Sequence, residues 1–235
     1  MTTRTLVVAH RGSSFDAPEN TLAAFSLAQE MGADGIELDV HRTSDGVLVV
    51  HHDAALSGIG LVMEHSFREL RIARPDVATL DEVFDICSGL ALVNVEMKCC
   101  AWDADADPKR IVAQGVAELI ARRDATHNVV VSSFDLAMLD DFRVLAPRVA
   151  TGWLIHGYDP EPAVAVAREH GHVNLHPDWG NLHTNLEATM RAADAHDVRI
   201  NTWTVDDPLV IRQFANAGVH AVITNRPDVA RKALR

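Results

Sequence analysis

Short runs of β-branched and aliphatic residues recur eight times along the chain, at 6–10, 35–40, 90–97, 128–134, 149–155, 173–176, 199–205 and 221–224. Longer segments of helical period lie between them, and this alternation is the signature of parallel strands covered by helices. Helix starts are legible. Asn20 is expected to cap 21–31, Thr79 to cap 80–87, Asp107-Pro108 to open a run to 122, and Asp135 to open 136–145. Later helices are expected near Pro160, Asn185, Asp207-Pro208 and Asp228. Eight strand-helix units in 235 residues fit a closed α/β barrel, the (β/α)8 or TIM barrel, near the lower edge of its size range. An open doubly wound sheet is the competitor, but its first turn normally carries a Gly-rich phosphate loop, and neither G-x-G-x-x-G nor G-x-x-x-x-G-K occurs. We expect one domain over residues 1–235.

A ninth extended run, 47–52, breaks the rhythm. The turn residues Thr43, Ser44, Asp45 and Gly46 precede it and no helix follows, so it reads as a hairpin return on the second strand. Residues from about 53 to 78 then form an insertion after the second strand. A return centred near Asp45 places His52 opposite roughly residue 38, and His51 on the other face.

In such a barrel, the C-terminal ends of the strands and the loops after them line one mouth. The first strand ends in His10-Arg11, the second holds Glu37 and Asp39, and the third leads to Glu96 and Lys98. Residues two apart on a strand share a face, so Glu37 joins Asp39, Glu96 joins Lys98, and His52 joins them through the hairpin. Three carboxylates crowded together cannot all ionise without a partner, because like charges raise one another's pKa. Lys98 alone under-compensates them. Internal salt bridges among Glu96, Lys98 and Arg11 are the plainer alternative, but four charges on successive strand ends, flanked by two histidines, favour a divalent cation. Oxygen ligands select Mg²⁺ or Ca²⁺ over zinc.

The chain carries 33 acidic and 21 basic residues, a formal charge of −12, so a nucleic acid is not an expected partner. A cation with Arg11 and Lys98 would nevertheless make a positive spot suited to phosphate. Histidines on either side could exchange protons with the attacking and leaving oxygens, as phosphoester cleavage requires. No apolar run approaches a membrane span, and the first residues lack the apolar core of a signal peptide. We therefore expect a soluble cytoplasmic protein without a membrane anchor; no residue pattern indicates an oligomeric state. Cys87, Cys99 and Cys100, an odd count with two adjacent, read as packed side chains rather than disulfides or a zinc site.

The stretch AHRGSSFDAPENTLAAFSLAQEMGADGIELDVHRTSDGVLVVHHD, residues 9–53, resembles the glycerophosphodiester phosphodiesterase family in its HRG, PENT-AF, G-D-IE-DV, T-DG and HD elements. NVEMK around Glu96, SSFD at 132–135, NTWTVD at 201–206 and TNRPD at 224–228 extend the resemblance over nearly the whole chain. It implies a metal-dependent barrel hydrolase that splits glycerophosphodiesters into sn-glycerol 3-phosphate and an alcohol. It also implies that Glu37, Asp39 and Glu96 bind the metal and that His10 and His52 form the acid and base pair. Arg11 and Lys98 would hold the phosphate, with Trp203 packed against the glycerol. Residues 57–67 depart from the family pattern, and the loop over the alcohol side is expected to differ there. Two rivals stand beside this reading: a lysophospholipase D or sphingomyelinase D-like activity on intact lipids, and a non-catalytic barrel that binds phosphorylated ligands.

Other features read more plainly. Within 170–183, only Asn174 and His176 have strand spacing that reaches the mouth, His176 reading either as a pocket residue or as a hydrogen-bonded structural histidine, and the remaining histidines are expected in solvent. Asp103, Asp105 and Asp107 start like a calcium loop, but Pro108 and Gln114 occupy the positions that need Gly and Glu, so the run is expected to be a solvated acidic lip. Trp153 is ambiguous between core and pocket, and Trp102 and Trp179 could form an apolar lip.

Overall fold

The computed structural model describes residues 4–87 and 89–235. Eight parallel strands form its frame: β1 (Leu6–His10), β2 (Gly35–Arg42), β3 (Leu92–Met97), β4 (Val129–Ser133), β5 (Ala150–Ile155), β6 (Asn174–Pro177), β7 (Arg199–Thr202) and β8 (Ala221–Thr224). Each pairs with its sequence neighbours, and β1 pairs with both β2 and β8, which closes the barrel.

Among the described residues ten α-helices surround it: α1 (Leu22–Glu30), α2 (Phe67–Ala73), α3 (Leu80–Ile86), α4 (Ile111–Arg122), α5 (Leu136–Leu145), α6 (Pro160–Glu169), α7 (Trp179–Thr184), α8 (Leu186–His196), α9 (Pro208–Asn216) and α10 (Pro227–Ala233). Several caps lie where the sequence puts them. Asp135 accepts from the Met138 N–H, Asp207 from the Leu209 N–H, and Thr79 with Glu82 forms a reciprocal capping box. Two starts differ. Thr21, not Asn20, caps α1 by accepting from the Ala24 N–H, because Asn20 is drawn inward to Asp39. Helix α4 begins at Ile111 rather than at Pro108, and Asp107 reaches forward to accept from the Val112 N–H. A short helix, α7, occupies a stretch that reads as loop; Asp178 caps it by accepting from the Asn181 N–H.

The segment Leu48–Val50 returns antiparallel on β2, with Val40 opposite Val50 and Arg42 opposite Leu48. Continuing that register puts residue 52 opposite residue 38, as the turn arithmetic requires. Residues 53–79 then form a two-stranded ribbon (Ala55–Leu56 with Gly60–Leu61), a 3₁₀ turn (Val62–Glu64), α2, and a short strand (Ala78–Thr79) back on Leu48–Val50. Leu56, Val62, Leu70 and Val77 bury their side chains with Val49 in a small cluster of their own, which fixes the hairpin carrying His52 against the barrel.

Candidate active site

The HRG motif builds the first wall. His10 is the last residue of β1, and Arg11 and Gly12 follow with φ of 56° and 83°, turning the chain sharply over the strand end. Gly12 is required there, since a Cβ would stand 2.6 Å from the Ala24 carbonyl carbon in α1. The turn aims the Arg11 N–H at both the Glu37 carbonyl (2.9 Å) and Glu37 Oε2 (3.1 Å). It also brings Asn20 to Asp39, whose Oδ2 accepts from the Asn20 amide at 2.8 Å.

Glu37 and Asp39 lie on β2 and Glu96 on β3, with Asp39 directly opposite Glu96 in the ladder. All three are buried, and one carboxylate oxygen from each lies within 4.8 Å of the others. Lys98 Nζ sits 3.0 Å from Asp39 Oδ1 and bonds to Glu96 Oε1, while Arg11 Nε lies 3.1 Å from Asp39 Oδ2. Glu37 has no such partner. Its nearest titratable base is His10, at 3.9 Å, and its Oε1 is buried without a hydrogen bond among the described residues.

These placements set the charge states. Burial, and then the charges of Asp39 and Glu96, push the Glu37 carboxyl well above the usual range. Burial raises Glu96 too, against the pull of Lys98. For Asp39 burial acts in the same direction, but Lys98 and Arg11 outweigh it and hold the carboxyl at about 2. Burial opposes the charge on Lys98, yet Glu96 and Asp39 raise its pKa above the usual value. Burial, then Arg11, lowers His10 below its ordinary value, so its imidazole is neutral at neutral pH.

The tautomer of His10 is also fixed. Asp206 accepts from both the backbone and the side-chain N–H of Asn225, at 2.8 Å each, so the Asn225 side-chain oxygen is the atom facing His10 Nδ1, at 2.7 Å. Nδ1 therefore carries the proton and Nε2 is bare. His52 Nδ1 lies 2.8 Å from Asp53 Oδ1 and donates to it, while His51 turns away and bonds the Asp53 carbonyl.

A cavity of about 170 Å³ joins these groups: His10, Arg11, Glu37, His52, Glu96 and Lys98 line it together with Trp203. All the residues expected at the site thus border one space except Asp39, which lies beneath it holding Arg11 and Lys98. Trp203 follows β7, donates from Nε1 to the His176 carbonyl at 2.9 Å, and meets Phe134 edge-on with ring centres 5.7 Å apart. Sequence reasoning missed Asn94, Phe134, Leu154 and Ile223, which complete the lining. Period-2 spacing from Glu96 could have found Asn94.

Elsewhere the expectations need correction. His172 is fully buried rather than solvated, bonded to Thr151 at 2.8 Å and 3.3 Å from Asp140. Of its two readings His176 takes the structural one: it is buried inside the barrel, hydrogen-bonded to Asn201, and does not line the cavity. Asp105 and Asp107 are buried too: Asp105 lies 2.6 Å from His41 Nδ1 and accepts from the Cys99 thiol, so the acidic run is anchored rather than a free lip. Trp153 packs in the core and donates to the Phe134 carbonyl.

Comparison with known proteins gives the same picture. Residues 10–229 match the glycerophosphoryl diester phosphodiesterase family. The chain is 32% identical to a glycerophosphodiester phosphodiesterase of Caldanaerobacter subterraneus, over 99% of this chain and 98% of that one. The crystal structure of a glycerophosphodiester phosphodiesterase from Thermotoga maritima has a TM-score of 0.82 and 28% identity, covering 99% of both chains. An Oleispira antarctica phosphodiesterase, solved in complex with the product sn-glycerol-3-phosphate, shares the fold at TM-score 0.82 and 24% identity, over 98% of this chain and 96% of that one. The chain belongs to the glycerophosphoryl diester phosphodiesterase family and is, by that membership, a phosphoric diester hydrolase.

Proposed function

We propose that this protein is a metal-dependent glycerophosphodiester phosphodiesterase that releases sn-glycerol 3-phosphate and an alcohol from water-soluble diesters, acting as one barrel unit in the cytoplasm. The observation that carries this reading is the charge balance of the cavity. Glu37, Asp39 and Glu96 crowd together beside two cations, Lys98 and Arg11, and Arg11 is shared with Glu19, so the three carboxylates when ionised are under-compensated. A divalent ion held by the three carboxylates offsets that excess and lets a phosphodiester anion approach. The orphaned, buried Oε1 of Glu37 fits such an ion, and an all-oxygen donor set favours Mg²⁺ or Ca²⁺. When bound, the ion would stabilise charge developing on the phosphoryl oxygens.

The chain's own residues supply the rest. Arg11 and Lys98, pinned on Asp39, position the phosphate between the two histidines. His10, neutral and bare at Nε2, is poised to take a proton there, and His52, in its imidazolium form with the Nδ1 proton held on Asp53, would give its Nε2 proton to the leaving oxygen. Trp203 gives the glycerol backbone an apolar platform. Among the described residues, no helix is long and apolar enough to cross a membrane. The test is glycerol 3-phosphate release from glycerophosphocholine and glycerophosphoethanolamine. Chelation should abolish it and Mg²⁺ or Ca²⁺ should restore it; turnover that survives metal removal overturns the metal role, and hydrolysis of intact lysophospholipids alone overturns the substrate.

A further inference from the structure

The cleft does not end at the carboxylates. A second cavity, of about 320 Å³, opens beside the first, and the two share His52, Glu96, Lys98 and Phe134. Shared walls make them two arms of one cleft, and a phosphodiester has two ester arms to place. With the glycerol against Trp203 in the first arm, the leaving alcohol falls in the second.

That second arm has its own chemistry. Trp102, from the loop between β3 and α4, stands on its wall with 66% of its surface exposed. Two carboxylates share its lining, Asp103 from the same loop and the exposed Asp53 from the hairpin. Asp103 is held in place, accepting from the Cys100 N–H at 2.8 Å. The basic groups facing this arm are already engaged: Lys98 by Glu96 and Asp39, His41 by Asp105, and His52 by Asp53. An exposed aromatic ring that shares a cavity with carboxylates attracts a cation, through the ring quadrupole and by direct charge. Asp53 and Asp103 interrupt the arm's apolar lining of Ala54, Trp102, Ala104 and Phe134. Residues 57–67, the segment that departs from the family pattern, line neither arm, so the alcohol preference lies with the β3–α4 loop instead.

We propose that this arm is a subsite for a cationic alcohol, made by Trp102 and Asp103, and that the protein favours diesters whose leaving alcohol carries an ammonium group over diesters of neutral alcohols. The inference rests on the phosphodiesterase reading above. It is tested by kcat/KM for glycerophosphocholine, glycerophosphoethanolamine and glycerophosphoglycerol, the last with a neutral alcohol, in metal-loaded wild-type, Trp102→Ala and Asp103→Asn proteins. The wild type should favour the two cationic substrates roughly tenfold or more. Each variant should lose roughly 2- to 30-fold on them, the span of a cation–aromatic or single-charge contact, and stay within about twofold on glycerophosphoglycerol. Inhibition by glycerol 3-phosphate, which lacks the alcohol, should be the same in all three proteins. Equal kcat/KM for the three diesters in the wild type, or an equal loss on all three in the variants, overturns the subsite while leaving the hydrolase intact. Release of glycerol 3-phosphate from none of them overturns the phosphodiesterase reading, and the subsite with it.

Discussion

The side-chain oxygen of Asn225 lies 2.7 Å from Nδ1 of His10, across 215 residues of sequence. Asp206 prevents that amide from turning, so the contact specifies which imidazole nitrogen is free for chemistry. Asn225→Leu should therefore lower kcat by roughly 10- to 100-fold with little change in KM, short of the ~10²–10⁴-fold loss expected for His10→Ala as a general acid–base group. In the double variant the loss should be no greater than for His10→Ala alone, because Asn225 acts through His10. Steady-state kinetics on the four proteins checks this; fully additive losses would refute it.

Glu37 and Glu96 should part company in the metal-free protein. Among the described residues no Lys or Arg pairs directly with Glu37, and its raised pKa means that its charge costs stability above the unfolded carboxyl range. Glu37→Gln removes that charge and should raise the metal-free Tm by a few degrees, about 1 kcal/mol in a protein of this size. Glu96→Gln breaks the pair with Lys98 and should lower it. Both should lose the thermal stabilisation that Mg²⁺ or Ca²⁺ is expected to give the wild type. Thermal unfolding with and without metal decides it; an identical shift in the two metal-free variants would count against this charge assignment.

The barrel interior leaves no room at Gly152. A Cβ there would stand 2.4 Å from His176 Nε2, which already accepts from the Asn201 amide at 2.9 Å. Gly152→Ala should destabilise the protein by ~1–3 kcal/mol through overpacking. Urea unfolding measures it, and a midpoint equal to wild type would show that the ring can move aside at no cost.

Acid should weaken the fold before most carboxylates titrate. Burial lowers His176 to about 3, and burial lowers both His172 and His220 to about 4. Below their unfolded value of about 6.5 these histidines bind protons in the unfolded chain but not in the folded one, so stability falls as pH drops from there toward 4. Each contributes a slope of at most ~1.4 kcal/mol per pH unit. His176→Gln should flatten the decline of the urea midpoint between pH 6.5 and 4. A wild-type midpoint constant over that window would rule the linkage out.

The strand ends carried most of the site into view. His10, Glu37, Asp39, Glu96 and Lys98 were legible because strand alternation is local and a closed barrel sends all its strand ends to one mouth. His52 was legible because an antiparallel register follows from the turn that starts it. Asn20 and Asp105 misled for a common reason. Each has the residue type of an exposed cap or loop, and each is turned inward by one distant partner, Asp39 for Asn20 and His41 for Asp105.

By itself the sequence determined the order of the eight barrel strands, the barrel they close into, and which ionisable groups stand at the strand ends, because alternation, capping and turn chemistry act over a few residues. Only the tertiary structure decided that Asn225 orients His10, that Glu37 is the carboxylate left without a cation, and that the β3–α4 loop rather than the 57–67 segment walls the second arm of the cleft. Those outcomes depend on contacts between residues far apart in the chain, and no local pattern encodes which pair will meet.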